Sequence, residues 1–141
     1  MEPLGGAEPD EIKSLACAHA ACEDRQHARA IADLYVDDGI WDASPVGLPR
    51  LEGRNALIAG FEERFADFPI TFQLVANQLV WLEGPDEAAG SCCVVGWAVT
   101  TGGDRVEVLR VCDDRYLRVD GGWRIRSRMV SPAMWGATAA E

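Results

Sequence analysis

The sequence predicts an α+β fold in which three N-terminal helices pack on a strongly curved, mainly antiparallel sheet. Its hydrophobic period changes once, from helical spacing before Ile70 to alternation after it. The alternating half is cut into four long strands by the turn sequences "GPDE", "GGD" and "DGG". A sheet that curls beneath a layer of helices makes a cone with a cavity between the layers. With no repeat, low-complexity tract or linker, the 141 residues read as one domain spanning 1–141, its core about 10–131 and its termini short and flexible.

The elements follow in order. Ile12, Leu15, Ala16 and His19 share one face of a first helix, and Ala30, Ile31, Leu34 and Tyr35 mark a second before "VDDG" stops it. After the short strand "GIWDAS" and the loop "PVGLPRLEG", Leu57, Phe61 and Phe65 recur every four residues and define a third helix, which ends at Pro69. The strands "ITFQLVANQLVWLE", "AAGSCCVVGWAVTT", "RVEVLRVCDDRYLRV" and "GWRIRSRMVS" form a meander of long hairpins.

Composition narrows the function. Thirteen basic and 23 acidic residues give a net charge of -10, which phosphate backbones and anionic lipid surfaces repel, so neither nucleic acid nor membrane is an expected partner. No apolar run reaches the roughly 20 residues of a bilayer span and the N-terminal stretch lacks signal-peptide character, so a cytoplasmic location is expected. The five cysteines are odd in number and match no zinc spacing, and read as reduced thiols. With only two histidines, eight residues apart, no metal and no organic cofactor is expected.

The order of elements, the segments "DRQHARAIADLYVDDGIWD", "LEGRNALIAGFEERF" and "VANQLVW", and the ending "DDRYLRVDGGWRIRSR" resemble the SnoaL-like branch of the NTF2-like superfamily over about residues 10–131. Relatives there include polyketide cyclases, scytalone dehydratase, a dehydrochlorinase and ketosteroid isomerases, so the resemblance implies a fold more than a reaction. It implies that Asp24, ending the first helix, pairs with a strand histidine placed four residues before an asparagine. Asn77 occupies the asparagine position, but Gln73 stands where the histidine would be, and glutamine cannot take a proton near neutral pH.

Three roles for Asp24 stand open: a cap of the second helix, a desolvated carboxylate acting as base or acid with a raised pKa, or a partner of His19 on the same helix. His27 reads as a solvated start of the second helix. Gln73 and Asn77, at an i, i+4 separation on a strand, point to one face and either satisfy backbone or bind a ligand carbonyl. Arg110, Cys112, Asp114 and Tyr116 share a strand face opposite Leu109 and Val111, and Asp114 with Arg128 forms either a ligand-binding or a structural ion pair. Trp41 and Trp97 supply flat apolar wall.

Two functions fit these residues. One is a cofactor-independent lyase or isomerase acting by proton transfer on a hydrophobic, cyclic substrate; the other is a non-catalytic binding module for an apolar small molecule. Homodimerisation through the outer face of the sheet is also expected.

Overall fold

The structure, a computed structural model, describes residues 8–133. The expected flexible termini lie largely outside them. Helix α1 (Glu8–Asp24) is followed by the short α2 (Ala28–Asp33), strand β1 (Tyr35–Asp42), a 3-10 turn (Ser44–Val46), the short β2 (Arg50–Glu52) and α3 (Arg54–Asp67). Four long strands complete it: β3 (Ile70–Gly84), β4 (Glu87–Val99), β5 (Arg105–Val119) and β6 (Gly122–Pro132). They join one six-stranded sheet in the order β2-β1-β6-β5-β4-β3.

The four long strands form the expected meander, and two features differ from expectation. Strand β1 begins at Tyr35, which therefore belongs to the sheet and not to the second helix, and it pairs parallel with β6. Residues 50–52, read as loop, add an edge strand antiparallel to β1. Both follow from long-range pairing, which completes the hydrogen bonds of segments whose own pattern is too short to declare a strand.

One face of the sheet meets the helices. Ile12, Ala16, His19, Ala20 and Glu23 form a buried stripe along α1, spaced for one helical face. That stripe packs on β3 and β6. Leu57 and Phe61 bury α3 completely at those positions, and Phe61 lies 5.0 Å from the Trp41 ring and 5.7 Å from that of His19. Burial of such a side chain stabilises by roughly 1.5–3 kcal/mol, so Phe61 is a main anchor of α3 over the sheet.

Two local irregularities shape the inner face. At Gly96, across from Gln73, an added Cβ would run into the Phe72 backbone carbonyl, so only glycine allows this approach of β3 to β4. At Asn77 the backbone turns to φ 52° and the β3–β4 register shifts between Ala76 and Leu79, a bulge that ends simple alternation along β3.

Candidate functional site

Between α1, α3 and the inner sheet face lies a cavity of about 30 Å³. Its apolar wall comes from Trp41, Leu48, Val94, Val108 and Val130, and its polar wall from Glu23, Gln73, Arg64, Arg110 and Arg128, with Cys112 between them. The volume suits about two water molecules.

Glu23 is the carboxylate of this wall. It comes from the last turn of α1, four residues after His19, so the two side chains share a helix face. Nδ1 of His19 lies 3.0 Å from Oε2 of Glu23, and Nε2 lies 2.8 Å from the Tyr35 hydroxyl. With an ionised Glu23 accepting, Nδ1 carries a proton, and the tyrosine hydroxyl can give or take the second bond. His19 is wholly buried, its ring edge-on to Tyr35 and Phe61, so it has a single orientation in which to hold the carboxylate. Burial alone would raise the Glu23 pKa; the His19 hydrogen bond and the nearby Arg64 and Arg128 outweigh it and bring it below the usual carboxylate value.

A second buried cluster adjoins the first. Arg128 on β6 forms a two-pronged ion pair with Asp114 on β5, with Nε to Oδ1 at 2.8 Å and a terminal nitrogen to Oδ2 at 2.9 Å. Tyr116 donates to the same Oδ2 at 2.8 Å. Burial would lower the Arg128 pKa, but the Asp114 carboxylate lifts it well above the ordinary arginine value. Every polar group of this cluster is satisfied, and among the described residues no buried side-chain polar atom lacks a partner.

Two further arginines reach the cavity without such pairing. Arg64 follows Phe61 by three residues on α3, and its guanidinium sits 5.8 Å from the Trp41 ring centre and 5.5 Å from that of Phe68. Arg110 projects from β5 two residues before Cys112. Burial and the neighbouring Arg64 push its pKa down from the ordinary arginine value.

The structure brings together only part of the expected site. Gln73, Trp41, Cys112 and Arg128 line the cavity, and His19 stands directly behind it. Asp24 does not line it. Its Oδ1 accepts from the Thr71 hydroxyl and its Oδ2 from the Gln73 backbone N–H, each at 3.1 Å, so it ties the end of α1 to the start of β3. Burial raises its pKa against the lowering effect of those two bonds. It caps no second helix: the residue at the N-cap of α2 is His27, which is exposed and makes no side-chain capping bond.

Three other expected positions do not line the cavity. Asn77 sits on the β3 bulge and is exposed, its amide 3.9 Å from the Cys93 sulfur, because the inserted residue breaks the alternation that would have aligned it with Gln73. Trp97 lies on the outer face, 40% exposed and stacked on Phe72, because it alternates with the inward Gly96. Asp114 takes the structural of its two expected roles, an ion pair with Arg128 to which Tyr116 adds a bond, and it does not line the cavity. Sequence reasoning passed over Glu23, Tyr35 and Arg64. The four-residue step from His19 to Glu23 was the available signal for the first, whereas Tyr35 and Arg64 reach the site only through tertiary packing.

Among the described residues, no group of three or more His, Cys, Asp and Glu side chains is placed to hold a metal ion. No described helix is long and apolar enough to cross a membrane.

This architecture is the NTF2-like, cystatin-like fold. It matches an NTF2-like protein with a cystatin-like fold from Novosphingobium aromaticivorans at TM-score 0.73 and 24% identity, covering 93% of this chain and 85% of the other. A protein provisionally assigned as an aromatic ring hydroxylase from the same organism aligns at TM-score 0.86 with 23% identity over 93% of both chains. A hexachlorocyclohexane dehydrochlorinase, LinA type 2, aligns at 0.83 with 17% identity, covering 91% of this chain and 86% of its own. No curated protein matches in sequence. The family profile of the SnoaL-like domain matches residues 7–129, and the chain belongs to that family.

Proposed function

We propose that the chain binds a small molecule in this cavity and acts on it as a cofactor-independent lyase or isomerase, with Glu23 as the proton acceptor. The observation that carries this reading is a carboxylate that opens on a partly apolar cavity and is held from behind by a fully buried histidine. A base needs a fixed lone pair and a substrate C–H brought to it. His19 fixes the carboxylate, and Trp41 with the valines offers surface to a hydrophobic, cyclic body.

In the step itself a substrate C–H gives its proton to Glu23. The electron pair left behind either expels a leaving group at the next carbon while Glu23 keeps the proton, giving a lyase, or delocalises and takes that same proton back from Glu23 at another carbon, giving an isomerase. Gln73 and the arginines face the charge that develops on a conjugated oxygen. Asp24 enters this reading as the tether that sets the end of α1, one residue from Glu23, and not as the base. The dehydrochlorinase named above is a structural relative whose name describes an elimination, which is compatible with the lyase branch.

The cavity is smaller than a ring-sized molecule, so binding expels its water and shifts half-buried side chains such as Leu48 and Arg64. That size, together with Gln73 in the place of a histidine, supports the second reading, a binding module without chemistry. Incubation of the full chain with a panel of cyclic ketones in D2O separates them. Protein-dependent exchange or isomerisation, lost in Glu23→Gln, is expected. Binding without exchange establishes the module, and neither binding nor exchange across the panel overturns the proposal.

We also propose a homodimer through the outer sheet face. Ile70, Phe72 and Leu74 on β3 pair with Val99, Trp97 and Val95 on β4, and five of these six apolar side chains are exposed. Sedimentation is expected to give about twice the 15.3 kDa chain mass, reduced to the monomer by Val95→Arg; a wild-type monomer at micromolar concentration contradicts it.

A further inference from the structure

We infer that Arg64 and Arg110 form an anion subsite in the cavity, so that the molecule bound there carries a carboxylate or a comparable oxyanion beside its apolar body. The inference rests on the reading that the cavity receives a small molecule, and it specifies the class of that molecule.

Among the described residues, four arginines are buried or half-buried: Arg64, Arg110, Arg126 and Arg128. Arg126 pairs with Asp38 at 3.1 Å and Arg128 with Asp114 at 2.8 Å. Arg64 and Arg110, both on the cavity wall, have no carboxylate of the described residues within 4.0 Å. Glu23 is close enough to feel the Arg64 charge, but its hydrogen bond is made with His19.

Two half-buried cations that share a small space repel each other and lose water, and the lowered Arg110 pKa reflects both effects. The chain holds 23 acidic residues against 13 basic ones, so the missing counter-charge does not come from any general shortage of carboxylates. Around the cavity the sum is positive. Arg128 is neutralised by Asp114, and Glu23 offsets only one of the two remaining arginines.

The two side chains also come from opposite layers. Arg64 hangs from α3, braced on the Trp41 and Phe68 rings, and Arg110 rises from the middle of β5. Guanidinium forks that converge across a gap match the two oxygens of a carboxylate better than they match a neutral carbonyl. The apolar residues Trp41, Leu48, Val108 and Val130 line the same cavity and provide for the rest of such a ligand.

The test uses cyclohexanecarboxylate and its uncharged amide, cyclohexanecarboxamide, titrated into the full chain at pH 7.5 by calorimetry, with the Trp41 indole followed by NMR. The acid is expected to bind at least about tenfold more tightly than the amide, as a charge-assisted pair does. Arg64→Gln and Arg110→Gln should each bring that ratio down toward unity. Equal binding of acid and amide to the wild-type chain overturns the anion subsite while leaving the cavity as a binding site. So does a preference that survives in both variants. Failure of both probes to shift the Trp41 resonance at millimolar concentration overturns the subsite and the binding reading together. The wild-type ratio decides the matter even if a variant does not fold.

Discussion

The two buried charge clusters of this chain lie side by side and are built differently. Around Asp114 the charges close on themselves: Arg128 covers both carboxylate oxygens, Tyr116 adds a third bond, and nothing is left for a ligand. Around Glu23 the charges stay open, since His19 is bonded to one carboxylate oxygen, the residue opens on the cavity, and Arg64 and Arg110 stand there without ion pairs among the described residues. The carboxylate at the centre of each is buried, so a buried carboxylate does not by itself mark function here. What distinguishes them is whether the bonding capacity is used up within the protein.

The comparison is broken most forcefully at the closed cluster. Asp114→Ala leaves Arg128 buried without its partner, and urea denaturation is expected to show a loss of about 3–5 kcal/mol. Replacing both residues by apolar ones, Asp114→Leu with Arg128→Met, should recover most of that loss, because a paired buried charge contributes little net stability over good packing. A stable Asp114→Ala protein would mean that the cluster is not structural.

The open cluster answers in the other currency. Glu23→Gln is expected to lower proton-transfer turnover by at least about a hundredfold on any substrate found, with a far smaller change in unfolding free energy than Asp114→Ala produces. Because the Glu23 pKa is lowered on folding, its ionised form contributes stability above its unfolded pKa, and that contribution is lost as pH falls through the folded value. Turnover should fall on the same acid limb. A rate that keeps rising as pH falls past the usual glutamate value would contradict an ionised base.

Asp24 sharpens the contrast with the smallest effect. Its pKa is raised, so it contributes stability at low pH that is lost as pH rises through the folded value. Asn at this position can still accept from the Gln73 N–H and can donate to the Thr71 hydroxyl. Asp24→Asn should therefore stay within about 1 kcal/mol of the wild type and keep its activity. Loss of all turnover in that variant would return the base to Asp24.

Much of the fold was legible because the change from helical to alternating period is a local property of the chain. The parallel pairing of β1 with β6 was not, since strand order is decided by which edges meet in the folded state. Within the site, alternation along β5 grouped Cys112, Asp114 and Tyr116 on one face, and that face is the buried one. Along β3 it failed at Asn77, where one inserted residue turns the following side chains and no residue type announces it. Trp97 shows the other limit, because alternation separates two faces without saying which one meets the helices. Arg64 carries no signal of its own in the sequence, and it reaches the cavity because burial of Phe61, three residues earlier, sets which side of α3 faces the sheet.

The measurement that bears most directly on the account is a pH titration of the Glu23 carboxyl by carbon-detected NMR, in the wild-type chain and in His19→Gln. An ionised carboxylate held by His19 in the cavity predicts a wild-type pKa below the usual glutamate value of about 4.3 and an upward shift in the variant. A Glu23 that titrates at or above the usual value in the wild type, or that does not respond to the loss of His19, would contradict it.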